Sequence, residues 1–378
     1  MGTSASYVMA TPSAKRRLLW LDMAKGLAML TVVLGHCMSD TTGLHDIIYS
    51  FHMPLFFALA GYTMRPKARL TVLASSFKRL IVPYIIVCCI MLFFALVPPN
   101  SINANLDSQR PLPVVFVEAF YASGQEGQIA GHTFQAIGAI WFLPCLFWGR
   151  LVLNEVLLLT HELPGWKKLA QPALVLAITA LGFWIGRQVR LPFDIDTALI
   201  AVFFMYVGYL AKTLDISKAP NWTWFLLVAV WACYNLAGNN EMAIRAYLEN
   251  PYSMITAAAG SLVVMKACMQ VELLGSACNA VSRGVARLNR AFAWMGVSSL
   301  VILCVHRVES AIFNWQKIME FFAPNVWNWP VAYQGIYMFV LRYALVLACS
   351  FVLIAAVRAA KAAIGNSAQR VSFRPKSL

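Results

Sequence analysis

Residues 21–36 read LDMAKGLAMLTVVLGH, a stretch apolar enough to begin a membrane helix, yet it carries an aspartate, a lysine and a histidine. Its surroundings settle the class. In 378 residues, 60 % are hydrophobic and 12 % charged, with a mean hydropathy of +0.66, whereas soluble domains carry about 25 % charged residues. Apolar runs near the roughly 20 residues that a hydrocarbon core requires fall at 18–38, 47–64, 78–97, 137–159, 171–187, 196–212, 222–238, 252–270, 292–313 and 335–357. The expected fold is an all-α polytopic membrane protein of about ten transmembrane helices. A polar tail, 1–17, precedes the membrane domain, 18–357, and a basic tail, 358–378, follows it. No cleavable signal is evident, so the first span is read as an uncleaved anchor.

The net charge of +14 would suit a nucleic-acid partner if it were clustered on a soluble face, but it alternates along the chain. Lys15, Arg16 and Arg17 precede the first span. Arg65, Lys67, Arg69, Lys78 and Arg79 follow the second, and Lys167, Lys168, Lys212, Lys218, Arg283, Arg287 and Arg290 fill every second loop thereafter. With the five basic residues of the C-terminal tail, 20 lie on one side and five on the other: Arg110, Arg187, Arg190, Arg245 and Lys317. The positive-inside rule then puts both termini in the cytoplasm and makes the span count even. Residues 98–136 become an external loop, turn-like in composition. Of nine cysteines, all but Cys278 fall in expected spans, where they act as small buried hydrophobes, and no metal-ligand spacing is present.

Asp22, Lys25 and His36 share one helical face, because spacings of three and eleven bring side chains back to the same stripe at 3.6 residues per turn. Lys25 and His36 are about 16 Å apart along such a helix. A charged group at mid-depth costs at least ~2.5 kcal/mol, so it usually faces the bundle interior and marks a site. The structural alternative is an i,i+3 pair of Asp22 with Lys25 near the membrane edge. The second span opens with IIYSFHMPLFFALAGY. A short link makes the first two spans antiparallel neighbours, so His52 is expected at a depth similar to that of His36. Imidazole is suited to serve as general base for a hydroxyl near neutral pH, while packing beside the Pro54 kink would equally account for His52. His45, in the link, is expected at the solvated surface, and His306, in SSLVILCVHRVE, is a further polar insert.

These stretches, with KRLIVPY at the third span, IWFLPCLF at 140–147 and WMGVSSLVILCVH at 294–306, resemble the integral-membrane acyltransferase type 3 family, particularly its fucose 4-O-acetylase-like branch. The resemblance implies a ten-span enzyme of the bacterial cytoplasmic membrane. Such an enzyme transfers an acyl group, commonly acetyl from acetyl-CoA, to hydroxyls of surface or lipid-linked glycans of the cell envelope. Carried onto this chain, it makes His36 the essential histidine and Lys25 the basic residue eleven positions before it. Lysine replaces the arginine common there, giving a point charge for a bidentate contact. A basic RxxR pair at the start of the third span is only partly present, as SFKR: Ser76 stands at the first position and Arg79, beside Lys78, at the last. Ala60 stands where serine is frequent.

The chain is therefore expected to be a membrane O-acyltransferase. His36 is assigned as general base, His52 as the imidazole that orients the acceptor or relays the proton, and Asp22 as the group that steadies Lys25. Lys25, Lys78 and Arg79 are assigned to the phosphates of acyl-CoA, and Trp141 to the site or to an aromatic belt. A glycan or lipid-linked sugar is the expected acceptor, and neither a metal nor nucleic acid is expected. The alternative is a transporter or flippase that uses the same polar stripe for permeation.

Overall fold

The computed structural model describes residues 17–39, 42–96, 111–129, 132–163, 165, 169–238, 240–276 and 280–372. Lys15, Arg16, Lys167, Lys168, Cys278, Arg374, Lys376 and the whole of 97–110, Arg110 included, lie outside the described residues. About 80 % of the structure is helical, and a small antiparallel hairpin is the one sheet among the described residues. The first spans comprise α1 (Leu19–Gly35), α2 (Gly43–Tyr49), α3 (His52–Tyr62), α4 (Arg69–Ser76) and α5 (Val82–Ala95), with a π-helical segment, Phe77–Ile81, between the last two. Then follow α6 (Leu112–Tyr121), the strands β1 (Gly127–Ile129) and β2 (His132–Phe134), α7 (Phe142–Thr160), α8 (Ala170–Gln188) and α9 (Ile195–Thr213). The chain ends with α10 (Trp222–Ala232), α11 (Tyr234–Ala237), α12 (Ser253–Leu274), α13 (Ala280–Val297), α14 (Ser299–Ile312), α15 (Trp315–Phe322) and α16 (Val331–Ser372).

Among the described residues six helices are long and apolar enough to cross a membrane, and α13 with α14, bent by 68° at their junction, makes a seventh if the pair is one span. Helices cover each of the ten expected runs, but several runs are broken. The ninth, 292–313, is not one straight helix: it takes in the end of α13 and then turns sharply at Ser298. The second is split into α2 and α3 at Ser50–Phe51, and the seventh into α10 and α11 at Cys233. At 11 residues, α3 is only about 16 Å long at 1.5 Å per residue, so it cannot span alone. The expected external loop is also structured, since Pro111 and Pro113 open α6, where the apolar run VVFVEAFY packs against α5.

Burial separates two shells. Helix α12 has 72 % of its apolar window inside the protein, against 17 % for α8; the first is a core helix, and the second turns most of its surface to lipid. In the inner shell α1 packs on α13 and α12, and α3 packs on α9 and α12. Two crossings depend on glycine. A Cβ on Gly61 would lie 1.7 Å from the Met205 carbonyl oxygen, and one on Gly208 1.8 Å from that of Ala58. The α3 and α9 backbones therefore touch, as small residues allow in membrane bundles. Gly26 and Gly296 do the same for α1 and α13, with Cβ positions 2.0 Å from the Phe292 oxygen and 1.7 Å from the Asp22 oxygen. The linker before α4 is tied to α7 by Asn154, whose Oδ1 accepts from the Lys67 amide at 3.1 Å and whose Nδ2 donates to the Lys67 carbonyl at 3.0 Å.

Candidate active site

A cavity of about 460 Å³ runs among α1, α3, the π segment, α7 and the α13–α14 junction. Its lining includes Lys25, His36, His52, Arg79 and Trp141, so the structure brings five of the seven site residues expected from sequence to one space. Lys78 and Asp22 are not among the lining residues. Lys78 is exposed on the π segment, turned away by its position next to Arg79. Asp22 is buried, and its carboxylate binds the Arg17 guanidinium, with Lys25 Nζ at 3.9 Å. That hydrogen bond holds Arg17 above the ordinary arginine range. Asp22 is thus shared between two cations instead of belonging to Lys25 alone.

One end of the cavity is cationic, lined by Arg17, Lys25, Arg79 and Arg150. Arg150, on α7, is an addition to the sequence reading; its Nε donates to Ser76 Oγ at 3.1 Å. The middle is apolar, with Met29, Val32, Phe56 and Leu300. Toward the other end lie Tyr49, His52 and His36. His36 closes α1 as its C-cap. It is exposed, and it lines the cavity.

The His52 ring is fixed. Its Nδ1 lies 2.9 Å from the Ile48 carbonyl oxygen, which can only accept, so Nδ1 carries the proton and Nε2 keeps its lone pair. The same contact caps the break between α2 and α3, which is why the histidine stands at the first position of α3. Tyr49 holds it edge-on, with ring centroids 4.7 Å apart, and stacks on His45 at 4.1 Å. His45 is therefore not solvated surface: it is 5 % exposed, because the link folds into α2, started by Thr42, whose Oγ1 accepts from the His45 amide. Trp141 is 3 % exposed and lies among Phe57, Phe142 and Gly124. That burial excludes a lipid-facing belt position.

Behind His36 is a polar cluster that sequence reasoning found only in part. The His306 ring lies 5.4 Å from that of His36. His306 Nδ1 is 2.8 Å from Glu309 Oε1, and Glu309 also accepts from Arg342 Nη2 at 2.7 Å, from Arg342 Nε at 3.1 Å and from Trp315 Nε1. Arg307, next along α14, donates instead to the Ile137 carbonyl at 2.6 Å and fixes the turn before α7. Arg342 and Arg150 had one signal in the sequence: each is a lone ionisable residue in an apolar run, FLPCLFWGRLVLN and YMFVLRYALV, whereas Glu309 follows His306 and Arg307 in SSLVILCVHRVE.

Both nearby helix breaks border the cavity. His52 and Met53 line it at the start of α3, and Val297 and Ser299 line it on either side of the α13–α14 bend. Non-helical backbone at membrane depth is tolerated where it lines a cavity or is buried in protein.

A helical bundle with several apolar helices long enough to cross a membrane, and a cavity lined by four cations and two imidazoles, defines a polytopic membrane protein with a polar internal site. The chain belongs to the acyltransferase domain family, whose model matches residues 18–357. It is also similar to the nodulation protein NolL of Sinorhizobium fredii (strain NBRC 101917 / NGR234), with 27 % identity over 215 residues. The match covers 53 % of this chain and 51 % of NolL, so the chain spans about half the length of that curated relative.

Proposed function

We propose that the protein is a membrane O-acyltransferase that takes an acyl group, assigned as acetyl, from acyl-CoA and transfers it to a hydroxyl of a surface or lipid-linked glycan. The observation that carries this reading is the single cavity joining the cationic end at Lys25 and Arg79 to His36 and His52. Acyl-CoA has a polyanionic head and a reactive thioester at the far end of a thin arm. The roughly 16 Å from Lys25 to His36 is comparable to the length of that arm. Family membership supports acyl transfer; the acetyl group and the glycan acceptor follow the fucose 4-O-acetylase-like resemblance.

In this mechanism the CoA head binds at the cationic end, read as the cytoplasmic one, and Asp22 holds Arg17 and Lys25 beside it. The acceptor hydroxyl meets the histidines from the opposite side. An imidazole Nε2 takes the hydroxyl proton as the oxygen attacks the thioester carbonyl. The tetrahedral intermediate collapses, the C–S bond breaks, and the proton passes to the departing thiolate. His36 is assigned as that base, with His52 orienting the acceptor. Trp141 forms part of the wall against which the acyl arm lies.

The test uses purified protein in nanodiscs with labelled acetyl-CoA, together with mass spectrometry of surface glycans from cells with and without the protein. Release of CoA thiol and a glycan lighter by one acyl group in cells lacking the protein are expected. A protein that leaves the thioester intact in vitro and the glycans unchanged in cells is not an acyltransferase of this kind, and transport would then replace the reading.

A further inference from the structure

Arg150 is the cation that the donor chemistry above does not yet use. It sits inside FLPCLFWGRLVLN, half-buried, with its guanidinium at the cationic end of the cavity. Its Nε is engaged by Ser76 Oγ at 3.1 Å. Ser76 is itself 2 % exposed, the last residue of α4, and stands three positions before Arg79 on the same rod of helix. The short stretch from Ser76 to Arg79, which runs into the π segment, thus both presents Arg79 to the cavity and supplies the hydroxyl that aims Arg150. Among the described residues no carboxylate lies within 4 Å of Arg79 or Arg150, whereas Arg17 and Lys25 share Asp22. Two guanidinium charges are thus left facing the cavity.

We infer that Arg79 and Arg150 form a two-armed clamp for a phosphate of the donor, with Ser76 as the residue that positions the second arm; this rests on the acyl-CoA reading. The chemistry is that of the fork. Fixing Nε on a hydroxyl orients the guanidinium plane and leaves both Nη groups to donate in parallel to phosphate oxygens. The serine at 76 is then no gap in a basic pair, because the missing guanidinium arrives from α7 and uses that serine as its rest. An arginine placed at 76 would reach the same end of the cavity along α4. The same clamp could in principle hold the phosphate of a lipid headgroup, and the experiment separates the two sources.

The experiment is CoA binding by calorimetry to the full-length protein in phosphatidylcholine nanodiscs, with thermal unfolding as the check on folding. Arg150→Ala is expected to weaken CoA binding at least tenfold. Ser76→Ala is expected to weaken it by a smaller factor, since the arm stays but is no longer aimed. In the Arg150→Ala background, Ser76→Arg is expected to restore most of the affinity, which a packing role for Arg150 would not allow. Unchanged CoA affinity in Arg150→Ala overturns the inference and leaves the clamp to lipid phosphate. A loss that Ser76→Arg does not repair also overturns it. If Arg150→Ala does not fold, Ser76→Ala decides: wild-type affinity in that variant overturns the inference. A wild-type protein that binds no CoA refutes the donor reading itself, a failure distinct from the others.

Discussion

At the scale of the residue, the two cavity histidines are prepared differently. His52 has its proton committed to the Ile48 carbonyl, four residues before it in the chain, and its lone pair free. His36 makes no hydrogen bond to another described residue, and the His306 ring lies close behind it, 5.4 Å between centroids. His306 is in turn fixed by Glu309, which Arg342 and Trp315 complete. A buried carboxylate with a guanidinium on one side and an imidazole on the other keeps the wall behind His36 rigid while His36 itself can adjust to a substrate. If His36 is the base, His36→Gln should insert and fold normally yet lose acyl transfer by ~10²-fold or more, since glutamine can hydrogen-bond but cannot take the proton. Labelled acyl transfer at matched protein level measures this, and near-normal activity would reduce His36 to a packing residue.

At the scale of the element, the contact of α3 with α9 is the most exacting feature of the inner shell. Gly208→Ala would place a methyl 1.8 Å from the Ala58 carbonyl oxygen, and the helices would have to part. The expected cost is that of an overpacked core, about 1–3 kcal/mol. Gly284→Ala, in α13 with nothing within 4 Å of the added Cβ, should be neutral or slightly stabilising because alanine favours helix. Thermal unfolding of the two variants side by side checks the contrast. The helices themselves were legible in the sequence, since long apolar runs have few other outcomes. Their breaks were legible only in part. Pro54, just past YSFH, signals the start of α3, whereas nothing local in GVSSL announces the bend between α13 and α14. The site divides in the same way. Lys25 and His36 could be paired by counting turns along one helix, whereas Arg150 finds Ser76 across 74 residues and Glu309 finds Arg342 across 33. No periodicity connects them.

At the scale of the whole molecule, six helices meet the length and apolarity expected of a span, and the others are assembled from pieces. We expect the broken pairs α2–α3, α10–α11 and α13–α14, with the 17-residue α1, to complete ten crossings, an even count as the loop charges require. Cysteine labelling from either side of intact cells tests this: both termini should be cytoplasmic, and residues 98–136 should be reached only from outside. Opposite exposure of the two termini would refute an even count. The same experiment bears on α13. Its face with Arg283, Arg287 and Arg290 should be labelled from the cytoplasm along its whole length if the helix lies along the membrane surface before α14 turns inward.

The π segment at Phe77–Ile81 has an implication for how such a cavity can arise and be lost. A π turn holds one residue more than an α-helix of the same rise, so the rod from Arg69 to Ala95 contains a local surplus. Upstream of that surplus every side chain is rotated by about 100°, one residue's share of a 3.6-residue turn. Ser76, just upstream, therefore owes its facing relative to α5 to a count of residues as much as to its identity, and Arg79 is presented by the π turn itself. A lineage could gain this rim by a single inserted codon, and lose it by a single deletion, without exchanging any of the residues that compose it.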